Sequence, residues 1–229
     1  MQDQITNPDK LAEAKKLLVS PSSSRDSAQP QATRQASELV AKLKAKAPDS
    51  EVLPLITPEM AASKLPFESS PLHWAASTKA SKAVVAALLA AHPEAVSAPD
   101  KRGRLPLHEA AANQASEEVV RLLVAGARTK DTDGWLPLHF AAASQASEAV
   151  VRMLLKDHPQ AAESGSNSGE LPLHLAAKHQ ASAAVVTALL AAYPEAAKEK
   201  NEHMMLPLHH AVKHQAVAAV VAALLAAYP

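Results

Sequence analysis

From residue 66 onward, apolar and polar positions recur in one block repeated five times. The triplet Pro-Leu-His marks each block, with its histidine at His73, His108, His139, His174 and His209, spaced 35, 31, 35 and 35 residues apart. One variable residue follows, then a small pair such as Ala110-Ala111 or Ala176-Ala177, a short polar break, and Val-Val-x-x-Leu-Leu or a close relative. The pattern predicts two helices per block. Proline suits the first helical position, where its missing N–H would be unpaired anyway, so a first helix is expected over residues 172–178. Ser182, matched by Ser81, Ser116 and Ser147, is placed to cap a second helix. On that helix Val185 with Leu189, and Val186 with Leu190, sit four apart and form one apolar stripe. Pro194 ends it, as Pro93 and Pro159 do elsewhere, and a loop with Gly103, Gly134 or Gly169 five residues before the next histidine leads on.

Composition sharpens the class. The chain is 48% hydrophobic but only 3% aromatic, and 51 of its 229 residues are alanine against five glycines. Alanine heads the helix scale, so the expected fold class is all-α. Twenty-three basic residues balance 23 acidic ones, leaving no sustained positive field for nucleic acid or an anionic membrane. The absence of cysteine removes disulfides, thiolate zinc sites and a cysteine nucleophile. The amino terminus has neither the basic nor the apolar region of a secretory signal. The longest uncharged apolar stretch, 217–228, is 12 residues, short of the roughly 20 that span a bilayer. No membrane insertion is expected.

The segment Gly134-Trp-Leu-Pro-Leu-His-Phe-Ala-Ala, followed by Glu148-Ala-Val-Val-Arg-Met-Leu-Leu, resembles the ankyrin repeat, with its Thr-Pro-Leu-His-x-Ala signature and period of about 33 residues. Five consecutive matches make the resemblance specific. It implies an ankyrin-repeat solenoid of stacked helix-turn-helix units with projecting finger loops, divided at about 66–100, 101–131, 132–166, 167–201 and 202–229. It also implies that His73, His108, His139, His174 and His209 are buried and tie each first helix to neighbouring backbone. The sequence departs from the family in three ways. Leu105, Leu136, Leu171 and Leu206 replace the capping Thr, so packing must compensate for the hydroxyl. Lys79, Gln114, Gln145, Gln180 and Gln215 stand where glycine is usual between the helices. The 35-residue copies carry an added turn around His-Pro-Glu-Ala or Tyr-Pro-Glu-Ala, which predicts irregular fingers.

Ahead of the repeats, residues 1–35 are expected to form a mobile segment with a short helix at 9–19, because the stretch rich in Ser, Gln, Pro and charge buries too little apolar surface to offset its ordering entropy. Residues 36–65 read as a degenerate capping repeat. Glu38-Leu-Val-Ala-Lys-Leu-Lys-Ala-Lys-Ala-Pro aligns on its proline with residues 184–194, as a second helix with lysines on its outward side.

The residue after each signature histidine shares a helical face with the residue four later. These pairs are Trp74/Thr78, Glu109/Asn113, Phe140/Ser144, Leu175/His179 and His210/His214. In the ankyrin family that face lines the concave side, next to the finger position four before the histidine: here Ser69, Arg104, Trp135, Glu170 and Met205. A repeat keeps its packing positions monotonous, so specificity can live at these variable ones. Trp74, Arg104, Trp135 and Phe140 stand out because Trp and Arg are enriched at binding hot spots. Trp74 and Phe140 could equally fill space between neighbouring first helices.

Two other chemistries fare worse. His210 and His214 have the i, i+4 spacing that can chelate zinc, with His179 in the previous copy, but no His-Glu-x-x-His pattern accompanies them; solvated groove histidines are the expectation and no metal or cofactor is assigned. No Gly-x-Ser-x-Gly, phosphate loop or paired carboxylates are present, so no enzyme is expected. The expectation is a non-catalytic, intracellular module, cytoplasmic with a nuclear location left open, that binds another protein. The alternatives are an assembly role or the recognition part of a larger protein. Because residues 217–228 carry no charge where copies two and three do, self-association through that last helix is also expected.

Overall fold

The computed structural model describes residues 31–228, so the expected helix at 9–19 lies outside the described residues. Thirteen α-helices and no strands occur among the described residues. Five hairpins follow one another: α4 (Pro71–Ser77) with α5 (Lys82–Ala91), α6 (Pro106–Ala112) with α7 (Glu117–Leu123), α8 (Pro137–Ala143) with α9 (Glu148–Asp157), α10 (Pro172–Lys178) with α11 (Ala183–Ala192), and α12 (Pro207–Lys213) with α13 (Ala218–Ala227). First helices pack on first helices and second on second, giving two parallel rows. A helix of seven residues is too short to persist alone in water, so burial between neighbours holds each one. Leu72, Leu107, Leu138 and Leu173 of the first row and Val85, Val120, Val151 and Val186 of the second are all fully buried.

The caps explain why the helices begin where they do. Ser81, Ser116, Ser147 and Ser182 each accept, on the side-chain oxygen, the N–H of the valine three residues on at 3.3–3.4 Å. The leucines replacing the usual Thr at the first helices offer no such oxygen. Leu105, Leu136 and Leu171 are instead buried, and the histidine three residues later accepts the N–H of that leucine through Nδ1.

Between the helices, Lys79, Gln114, Gln145, Gln180 and Gln215 all take the left-handed conformation, φ 55–61°. Three of the glutamines also bridge repeats: Gln114, Gln145 and Gln180 donate through Nε2 to the carbonyls of Ser144, His179 and His214. Glycine could adopt that φ without strain but could not make the bridge.

Two expectations need correction. The second to fifth fingers are regular, because the added residues of the 35-residue copies form 3-10 turns at Pro93–Ser97, Pro159–Ala162 and Pro194–Ala197, before the finger begins. The helix ahead of the repeats, α1 (Gln31–Lys44), starts inside the stretch read as mobile, and it packs on α4 in the first-helix row rather than serving as a second helix. Lys46 is left-handed at φ 55° and Ala47 N–H returns to the Lys42 carbonyl, the turn that ends every first helix. The correct register therefore matches residues 37–46 with 70–79. Both helix types carry apolar residues four apart, and the alignment on Pro48 chose the wrong one. The short α2 (Asp49–Val52) and α3 (Pro58–Ala61) lie against the second row at α5.

Candidate interaction face

The second to fifth fingers are each closed by one polar residue. Asp100, Asp131 and Asn201 accept, on a single side-chain oxygen, the backbone N–H groups two and four residues on, at 2.8–3.0 Å, and Ser166 does so at 3.3 and 3.1 Å. Neighbouring fingers are joined by backbone bonds from Lys101 N–H to Phe67, Thr132 to Arg102, Asn167 to Asp133 and Glu202 to Ser168. The signature histidines lock fingers to helices. With Nδ1 accepting, the ring proton sits on Nε2 and is donated to a carbonyl of the next finger: His73 to Arg104, His108 to Trp135, His139 to Glu170 and His174 to Met205, at 2.9–3.2 Å. Burial pushes His73, His108 and His174 below the ordinary histidine value and His139 down to about 4. His209 is exposed, contrary to the expectation that all five are buried.

On this frame the variable residues form a cluster at the second and third fingers. Asp131, whose side chain is almost wholly buried, draws Arg104 across from the previous finger, Nε to Oδ2 3.4 Å. Glu109 Oε1 lies 3.5 Å from the same guanidinium. The guanidinium carbon sits 4.6 Å from the centroid of Phe140, where its positive charge meets the electron-rich ring face. The Trp135 ring lies 5.0 Å from Phe140, which His108 meets edge-on at 5.6 Å. Recesses open on either side. One of about 190 Å³ includes Phe67, Trp74, Arg102 and Arg104; another of about 430 Å³ includes Arg104, Asp133, Trp135 and Phe140.

The structure does not treat the expected site residues alike. Trp74, Arg104, Glu109, Asn113, Trp135 and Met205 are half-buried and line or adjoin the finger side. Trp74 donates from Nε1 to Ser69 Oγ at 3.0 Å, and Lys44 of α1 lies over its ring at 4.2 Å. Ser144 donates its hydroxyl to the Ala111 carbonyl across the repeat boundary at 2.7 Å. Phe140 is buried, the space-filling role, although its ring supports Arg104. Leu175 is fully buried and Glu170 nearly so, its carboxylate held 3.4 Å from Lys178, so neither offers much contact surface.

The histidine group also differs from a set of solvated groove side chains. His179 is exposed and His214 half-buried, but His210 is buried, stacked on His214 with centroids 6.2 Å apart and edge-on to His174. Asn201 Oδ1 is committed to two backbone N–H groups, so its amide nitrogen faces His210 Nε2 at 3.3 Å. Nε2 must accept, the proton sits on Nδ1, and that atom has no partner among the described residues. Burial, with His174 next, lowers the His210 value to about 4. His210 therefore stays neutral between pH 7.5 and 5.5, where a groove histidine would charge.

Reading four residues before each histidine missed the finger tips two residues earlier. Phe67, Arg102, Asp133, Ser168 and His203 form a row as variable as the one chosen, and that variability was the available signal.

The stacked hairpins, bridging histidines and projecting fingers define a repeat scaffold. A family model described as ankyrin repeats (three copies) matches at residues 42–133, 72–166, 113–202 and 138–228. The chain belongs to the ankyrin repeat family, whose members are generally protein interaction modules and typically non-catalytic. No curated protein sequence matches the chain. Among the described residues no helix is long and apolar enough to cross a membrane.

Proposed function

We propose that the chain is a non-catalytic docking module whose concave side, built from the first helices and fingers, holds a partner protein. The observation that carries this reading is the pair of half-buried side chains Arg104 and Trp135 packed on the buried Phe140 ring between two recesses, at positions where the repeat otherwise varies freely. Trp and Arg are the side chains most often found at binding hot spots, and a rigid backbone lowers the ordering cost of association. A photo-crosslinking residue at Asn113 or Ser144 should capture the partner, whereas one at Arg121 or Arg152 on the second-helix side should not. Equal capture from both sides would contradict the reading.

One observation favours an assembly role as a second reading. Val212 is 66% exposed and Val217 61%, while Ala177, the counterpart of Val212 one repeat earlier, is fully buried. Further repeats or a second copy of this chain would cover that end. Sedimentation across a concentration series should then show association that Ala218→Glu with Ala222→Lys abolishes; a monomer at every concentration would exclude it.

A further inference from the structure

The first finger differs from the other four in backbone as well as sequence. The glycine position of the second to fourth fingers is Glu68 here, at φ 58°, and the residue before it, Phe67, is left-handed too at φ 63°. Two consecutive non-glycine residues in that region are uncommon, and such strained segments concentrate at functional sites. The result of this turn is specific: Phe67 is 71% exposed, the most exposed large apolar residue among those described, and it stands at the edge of the recess it shares with Trp74. Its carbonyl accepts the Lys101 N–H at 2.8 Å, so the ring is presented from a fixed backbone.

Charge at this recess is unevenly committed. Asp100 Oδ1 already takes the N–H groups of Arg102 and Arg104, and Glu109 is engaged by Arg104. Arg102 enters no ion pair among the described residues. It is exposed, its N–H is held by Asp100, and its carbonyl accepts the Thr132 N–H, so the side chain projects from a pinned backbone into the recess. Lys44 adds a second cation over Trp74. The aromatic surface is thus bordered by a guanidinium in no ion pair among the described residues, while Glu109 beside it is paired with Arg104 and Asp100 Oδ1 holds two backbone N–H groups.

We propose that the recess between the first and second fingers takes an acidic peptide segment of the partner protein, with a carboxylate at the Arg102 guanidinium and an adjoining apolar side chain against Phe67 and Trp74. This rests on the reading of the concave side as the docking face. Guanidinium and carboxylate match as a two-pronged pair, and an apolar neighbour removes the exposed ring of Phe67 from water. Specificity is divided between the two: the charge selects the acid, and the aromatic surface selects what stands beside it.

The test uses random dodecapeptides displayed on phage, selected against the full chain. Selected sequences should be enriched in Asp or Glu next to Phe, Leu, Met or Trp. Synthetic copies should lose about tenfold or more in affinity on Arg102→Glu, and also on Phe67→Ala, while Arg121→Ala on the second-helix side changes little. Circular dichroism and the unfolding midpoint of the Arg102→Glu and Phe67→Ala variants should match the parent, because both side chains are exposed. Selected peptides without acidic enrichment, or with affinity unchanged by Arg102→Glu, would overturn the assignment of this recess. If such peptides are weakened by Trp135→Ala, the docking face stands and the acidic subsite alone falls. If no peptide is selected, or none responds to any finger-side substitution, both fall.

Discussion

Gln145 donates from Nε2 to the carbonyl oxygen of His179 in the next repeat at 2.9 Å, while its own backbone is held at φ 61°. One residue thus carries a strain and a compensating bond. Left-handed backbone costs a non-glycine residue about 1–2 kcal/mol, and a hydrogen bond of this kind contributes about 1 kcal/mol net. Gln145→Gly removes both and should change stability by less than about 1 kcal/mol. Gln145→Ala keeps the strain, loses the bond and should cost about 1 kcal/mol. Chemical denaturation of the two variants checks this; a larger loss for glycine than for alanine would contradict it.

The buried histidines set a pH dependence. His139 titrates near 4 in the folded chain against about 6.5 when unfolded, because burial penalises its charged form. Between those values the unfolded state binds the extra proton first. Stability should therefore decline as pH falls from about 6.5 to about 4 and stay level above that window, with His139 alone contributing a loss of about 3 kcal/mol. Nitrogen-15 spectra of the imidazole should show His139 protonated on Nε2 and unchanged from pH 7.5 to 5.5. A midpoint near 6.5 for that ring would contradict its burial.

The placement of the five hairpins was legible in the sequence because the helix starts carry their own chemical marks: Pro-Leu-His for every first helix, and serine before the valine pair for four of the five second helices. Residues 172–178 form a helix as that pattern predicts. What escaped the sequence was set by contacts between repeats. The burial of Leu175 and the bridging role of the glutamines depend on what the next repeat places against them, and the Asn201 contact of His210 on how the finger before its helix folds back. Helical periodicity places a residue on a face without saying whether a neighbour covers it. The misassigned register of α1 has the same origin, since two amphipathic helices of similar pattern differ only in their tertiary neighbours.

Val217 holds the N-cap position of α13 with the extended backbone of the serine caps, φ −59° and ψ 148°, but offers no side-chain acceptor. Because Val217 is mostly exposed, Val217→Ser gives up little packing and should raise stability by about 1 kcal/mol. An unchanged or lower thermal midpoint would show that the valine is covered in solution, as the assembly reading requires.

Leu189 is 1% exposed in the stripe of α11. Leu189→Ala should cost about 2–5 kcal/mol through the cavity it leaves. Equilibrium denaturation should show that loss; a change below about 1 kcal/mol would mean that the second-helix row is packed differently.

The docking claim is tested most directly by calorimetric titration of the photo-captured partner into the wild-type chain, Trp135→Ala and Arg121→Ala, with unfolding midpoints measured alongside. Trp135→Ala should weaken binding by about 2 kcal/mol, roughly thirtyfold, while the variant stays folded, and Arg121→Ala on the opposite side should bind as the wild type does. Equal affinity for all three, or a loss confined to Arg121→Ala, would contradict the assignment of the finger side as the binding face.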